Sequence, residues 1–173
     1  ITEEKRAQAR LQESETWYRT LFETTGAATM ILEEDTTISL VNREFVKQFG
    51  YSREETENRK SWTEFIDPGD VDRMREYHRL RRVDPEGPPK NYEFRFISKA
   101  GETRDVFLTV DLIPGTRKSI ASLVDITELR RADETLKIRG QQLENKTREL
   151  EELNAALRVL LKRREEDRNE LEE

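Results

Sequence analysis

Cysteine is missing from this chain of 173 residues, histidine occurs once, and no long apolar run is present. The first absence excludes disulfides, thiolate metal sites and any catalysis or flavin photochemistry that runs through a thiol. With His78 as the lone imidazole, there is no zinc-ligand spacing and no His-Glu phosphoacceptor pattern, and neither a P-loop nor a GxSxG motif occurs. Glu33, Glu34 and Asp35 stand together, but on a predicted hairpin tip, where polar residues are expected in any case. The segment is therefore not expected to be an enzyme or to hold a metal. No apolar stretch approaches the ~20 residues of a membrane span, and no signal peptide is visible, so a cytoplasmic location is expected.

A large excess of one charge is missing too. The 31 Lys and Arg against 37 Asp and Glu leave a net charge of −6, which provides no basic face for nucleic acid. The clusters RLRR (79–82) and KRR (162–164) have acids nearby and read as solvated helix faces. Aromatic residues are absent from 128–173: the 7 Phe, 4 Tyr and 2 Trp lie between Trp17 and Phe107. An apolar core is thus flanked by polar segments, which divides the chain into an N-terminal connector helix (1–16), a globular domain (17–127) and a helical extension (128–173).

Residues 4–24 follow a three-four spacing of Ala7, Leu11, Tyr18 and Leu21, which predicts an amphipathic helix. ATMIL and ISLVN, separated by EEDTT, read as two short strands, and REFVKQFG as a short helix ended by Gly50. In DPGDVDRMREYHRLRRV, Asp67 is placed as N-cap, Pro68 as the first helical residue and Asp70 at the positive end of the dipole. Three strands follow: NYEFRFIS, ETRDVFLTVDLI and KSIASLVDI. Tyr92, Phe94 and Phe96 alternate with Glu93 and Arg95, and Val106, Leu108, Val110 and Leu112 with Phe107, Thr109 and Asp111. That alternation fits an antiparallel sheet covered on one face, in an α+β arrangement.

In order, WYRTLFETT, VNREF, GYSREE, FIDPGDVDR, YEFRFISKAGE and DITE resemble a PAS domain of the sensory-box type, from Trp17 to Glu128. The resemblance implies a five-stranded antiparallel sheet with helices on one face, often around a small-molecule pocket. Phe45, Trp62, Phe65, Met74, Tyr77, Phe94, Leu108 and Ser122 are the expected wall of such a pocket, or else simply core. A cofactor is either absent or an unknown small molecule. Haem is disfavoured, because His78 falls about one turn late on the helix that ligates iron in haem-binding relatives, and it reads as a surface or rim histidine. In this family the Asp-Ile-Thr motif closes the last strand, so Asp125 and Thr127 are expected to couple the core to the exit helix. Thr127 would cap a helix from Glu128, and Asp125 would pair with Arg130 or Arg131.

Leu129, Leu136, Leu143, Leu150 and Leu157 recur every seven residues, the signature of a coiled coil and hence of a homodimer. The other seam position is either Asp133, Gly140, Thr147 and Asn154 or Ala132, Arg139, Lys146 and Leu153. Only Leu150, Leu153, Leu157, Leu160 and Leu161 make a dense apolar stripe, so tight pairing is expected there and loose pairing beside the domain. ELNAALRVLLKRREEDRNELEE resembles the linker after the PAS domain of bacterial regulators that end in a LuxR-type helix-turn-helix. A linker to a histidine kinase or a cyclic-dinucleotide enzyme is the rival reading. Finally, ITEEKRAQARL at residue 1 shares six offsets with ITELRRADETL at residue 126, Ile1 with Ile126 through Leu11 with Leu136. This repeat implies an upstream PAS-like domain, with the first helix as an input connector and the last as an output connector.

Overall fold

The computed structural model describes residues 2–172; Ile1, where the repeat begins, and Glu173 lie outside the described residues. The chain divides into two compact units, Ile1–Thr127 and Glu128–Glu173. In the first unit, helix α1 (Glu3–Thr24) precedes strands β1 (Ala28–Leu32) and β2 (Ile38–Val41). Short helices α2 (Arg43–Phe49) and α3 (Arg53–Thr56), a 3-10 turn (Trp62–Phe65) and helix α4 (Pro68–Leu80) follow. Strands β3 (Asn91–Ile97), β4 (Thr103–Leu112) and β5 (Ser119–Asp125) complete it, and helix α5 runs over Thr127–Glu172.

The five strands form one antiparallel sheet in the order β2-β1-β5-β4-β3, so the two halves of the unit meet where β1 pairs with β5. Period-two alternation puts Phe94 and Phe96 of β3, Val106, Leu108 and Val110 of β4, and Ala121 and Leu123 of β5 on the inner face, all buried. With Phe45 and Phe49 of α2 and Phe65 of the 3-10 turn they make the core. Its centre is aromatic: Phe65 stacks on Phe96 at 5.6 Å and Phe49 lies 4.0 Å from Phe96, centroid to centroid.

The helix ends follow local rules. The Asp67 carboxylate accepts from Gly69 N–H at 2.9 Å with Pro68 at the first helical position. Asp70, at the positive end of α4, also accepts from the Arg95 N–H at 3.0 Å and so ties the helix to β3. Gly50 ends α2 with φ of 82°, a left-handed conformation that disfavours a side chain, and donates its N–H to the Val46 carbonyl at 3.0 Å. No helix among the described residues is long and apolar enough to cross a membrane.

Candidate core site and helix exit

Between α4 and the inner face of the sheet lies a cavity of about 20 Å³. Leu32, Met74, Leu108 and Val110 give it apolar walls, while Trp62, His78, Arg81 and Tyr92 bring polar groups. Of the eight predicted wall residues, Trp62, Met74 and Leu108 therefore meet here. Phe45, Phe65 and Phe94 are buried in the adjoining aromatic core, and Tyr77 is half-buried with its ring 5.2 Å from that of Tyr92. Ser122 is not on the inner face. Ala121 and Leu123 point inward, so the strand period turns Ser122 to the outer face beside Ile120 and Val124. A larger concavity, about 710 Å³, lies between α1 and that outer face and is lined by none of the eight.

The cavity's polar groups depart from expectation. His78 is not a surface residue: it is 7% exposed, its ring lies 5.4 Å from that of Trp62, and Nε2 bonds the Glu34 carbonyl at 3.1 Å. Burial, reinforced by the nearby Arg82 charge, lowers its pKa to about 4. Burial pushes the Tyr92 phenol up to about 12, with the Arg81 guanidinium opposing the shift. RLRR is not a solvated face either. Only Arg79 matches that reading, pairing with Glu76 in water. Arg82 is half-buried and donates to the carbonyls of His78 at 2.6 Å and Arg117 at 2.9 Å. Arg81 is 1% exposed; Nη2 donates to the Pro89 carbonyl at 2.5 Å and Nη1 to that of Tyr77 at 3.4 Å, while Nε has no partner. The Trp62 indole N–H is likewise buried without an acceptor. Removing an ion from water costs several kcal/mol, so Arg81, buried against two carbonyls with the Tyr92 phenol beside it and Asp111 near enough to feel its charge, is an expensive arrangement. The signal was present in the sequence: Met74, His78 and Arg81 recur at i, i+4 and i+7, one helix face, which continues inward past the end of α4.

The second candidate feature lies where β5 ends. Asp125 Oδ1 accepts from the Thr127 N–H at 3.0 Å and from the Thr127 hydroxyl at 2.6 Å. The same Thr127 oxygen accepts from the Asp105 N–H at 3.0 Å. Thr127 is thus the first residue of α5, with its hydroxyl bridging back to β4; it is Asp125 that serves its N–H. Asp125 has a further partner in Arg104 of β4. Its Oδ2 meets Arg104 Nη1 at 3.1 Å, and the same nitrogen donates to the Gln48 carbonyl at 3.2 Å, near the end of α2; Arg131 lies 3.8 Å from Glu128. Register explains the choice. Asp125 stands opposite Val106, and Arg104, two residues along β4, projects from the same face. Burial pushes the Asp125 carboxyl up, but the two Thr127 bonds and Arg104 outweigh it, and its pKa lies below the ordinary aspartate value.

These features define a sensory α+β domain: an antiparallel sheet with helices over its inner face and a helix leaving its last strand. The chain belongs to the PAS fold family, whose model matches residues 38–124. No curated protein matches it. Among solved structures it is similar to the PAS domain of an HTR-like protein from Haloarcula marismortui, with 25% identity and a TM-score of 0.56, covering 70% of this chain and 99% of that one. A domain of a sensory box sensor histidine kinase/response regulator from Geobacter sulfurreducens has 23% identity and a TM-score of 0.55, covering 66% and 96%. The PAS domain of the quorum-sensing receptor RpfR from Cronobacter turicensis, in complex with C12:0, has 20% identity and a TM-score of 0.52, covering 59% and 95%.

Proposed function

We propose that this chain is a sensory and dimerisation module of a bacterial, cytoplasmic signalling protein, without catalysis of its own, that passes a change in its core to a downstream output domain through α5. The observation that carries the reading is the unbroken run of polar contacts from the Gln48 carbonyl through Arg104 and Asp125 to Thr127. A core helix, two strands and the first residue of the exit helix share it, so a shift of α2 against the sheet alters the bonds that hold the start of α5. Two arrangements of such an exit need differ by only a few kcal/mol for a ligand to bias them. The output domain is a helix-turn-helix, a histidine kinase or a cyclic-dinucleotide enzyme, and a PAS-like domain precedes the module. In the parent protein, Asp125→Ala and Thr127→Val should each alter output in the absence of signal while the domain stays folded; unchanged output in both would remove the coupling.

The small size of the core cavity, about 20 Å³, favours a second reading, a filled domain that spaces and pairs its neighbours without sensing. Native mass spectrometry of the purified chain discriminates: a retained small molecule supports sensing, and its absence in every preparation supports the spacer.

A further inference from the structure

We infer that α1 acts on the exit of β5 through α2: Glu23, in the last turn of α1, positions the start of α2, and α2 passes a displacement of the first helix to the Arg104, Asp125 and Thr127 bonds. The inference deepens the sensory reading and rests on it for its use in the cell. It supplies an input that enters by the connector helix and needs no occupant in the core. Within α1 only Phe22 and Glu23 are half-buried, while residues 3–21 and 24 are exposed. Both half-buried residues bond to the start of α2. The Phe22 carbonyl accepts from Nδ2 of Asn42, the residue that caps α2, at 3.0 Å. Glu23 Oε2 accepts from the Arg43 N–H at 2.9 Å, and Oε1 meets Arg53 Nη2 of α3 at 2.5 Å. Burial pushes the Glu23 carboxyl up, but the Arg43 N–H and the Arg53 guanidinium outweigh it, and its pKa lies below the ordinary glutamate value.

The other end of α2 is held as specifically. The Gln48 carbonyl accepts from Arg104 Nη1 at 3.2 Å, the nitrogen that also meets Asp125 Oδ2 at 3.1 Å. One residue on, the Phe49 carbonyl accepts from the Lys99 N–H at 3.2 Å. Between these ends lie only seven residues, two turns of helix spanning roughly 10 Å. Phe45 and Phe49 are buried and fix the inner face of α2 among the core rings. A packed piece of this length moves as a unit rather than deforming, so a change in the Glu23 clasp at its start is felt at the Gln48 carbonyl. The rival route leaves α1 along the chain into β1 and crosses to β5 through the sheet, where Ala28 pairs with Leu123. That route bypasses Arg104, which makes the two separable.

Amide hydrogen exchange in the full chain labelled with 15N reads both ends at once. Glu23→Ala should quicken exchange at Arg43, whose N–H loses its acceptor. It should also quicken Thr127 and Asp105, the two amides of the exit, by about five-fold or more, the scale usual for linked sites. The Val110 amide, bonded to the Lys90 carbonyl at 2.8 Å near the other end of β4, should keep its rate and reports any general loss of stability. Arg53→Met, which removes the partly exposed partner of Glu23, should give the same pattern more weakly and keeps the inference testable should Glu23→Ala fail to fold. In an Arg104→Met background the effect of Glu23→Ala at Thr127 should vanish while that at Arg43 stays. Faster exchange at Arg43 alone, an equal gain at all four amides, or an effect at Thr127 that survives Arg104→Met would overturn the inference. Failure of the sensory reading is distinct, since it is read as unchanged output in the parent protein with Asp125→Ala and Thr127→Val.

Discussion

Asn42 is fully buried and uses every polar atom of its side chain on the backbone around it. Oδ1 accepts from the Thr29 and Phe45 N–H groups at 2.9 and 3.0 Å, and Nδ2 donates to the Phe22 and Ala27 carbonyls at 3.0 and 2.9 Å. One amide thus caps α2, fixes the end of α1 and holds the entry to β1. Truncation to Ala leaves the buried Thr29 and Phe45 N–H groups unpaired, at about 1–3 kcal/mol each where water cannot enter, so Asn42→Ala should lower stability by about 3–5 kcal/mol in urea unfolding. Asn42→Asp, which keeps the acceptors and loses both donations, should be similarly damaging. His78 makes a prediction of the opposite kind, about pH. Above pH 6.5 the imidazole is neutral whether the chain is folded or not. Below it, the unfolded chain takes up a proton that the folded one, with its pKa near 4, refuses. Stability should therefore fall as the pH drops from 6.5 towards 4, by at most about 1.4 kcal/mol per pH unit. Between pH 6.5 and 5 most carboxylates stay ionised in both states, so this window isolates the histidine. Urea midpoints for His78→Phe, which keeps a ring beside Trp62, should be flat there; an unchanged slope in that variant would assign the acid sensitivity to other groups.

Strand alternation, the Asp67 cap and the Gly50 stop were legible in the sequence because each depends on neighbours within a few residues. What could not be read was partnership across elements. Asp125 and Arg104 are 21 residues apart and meet only because β4 pairs with β5 in one register. Nothing near Asp125 in the sequence indicates it, and Arg130 and Arg131 were the nearer candidates. Arg81 was obscured for another reason: an arginine in a basic cluster is solvated by default, and only its phase relative to Met74 and His78 marks it as inward. Ser122 was misplaced by one residue, which on a strand is the whole difference between the two faces. The β5 exit itself gives a quantitative expectation. The Arg104–Asp125 pair is partly exposed on both sides and should show a coupling of about 0.5–1 kcal/mol in a double-mutant cycle. Asp125 with Thr127 involves two hydrogen bonds to a charged acceptor and should couple more strongly, by about 1–3 kcal/mol. Amide exchange at Asp105 should quicken in Thr127→Val, which removes its acceptor. A larger coupling for Arg104–Asp125 than for Asp125–Thr127 would mean that Arg104, and not the Asp125–Thr127 turn, holds the exit.

At the scale of the whole molecule, α5 is the feature that a single chain explains least. Across its 46 residues, the seam leucines Leu129, Leu136, Leu143, Leu150 and Leu157 are between 47% and 72% exposed, and Leu153, Leu160 and Leu161 are 57–61% exposed. A polar helix of this length gains most of its stability from packing one face, and a seven-residue repeat keeps that face on a single partner. In the proposed dimer each buried leucine contributes about 1.5–3 kcal/mol at full burial. The chain of 173 residues should therefore scatter light as a dimer and a truncation at Glu128 as a monomer. Leu157→Asp, in the dense stripe, should shift the full chain towards monomer far more than Leu129→Asp in the sparse zone. Gly140 belongs to that sparse zone. A Cβ there meets nothing within 4 Å, so Gly140→Ala should raise the helix melting transition, followed by circular dichroism, through a propensity gain of about 1 kcal/mol per chain. The same substitution tests why the glycine is present. If the loose stretch beside the domain lets two coil arrangements interchange, stiffening it should narrow the difference in output between the signalled and unsignalled parent protein while leaving its dimer mass unchanged. A variant that melts higher and still switches over the full range would show that switching does not pass through this part of the helix.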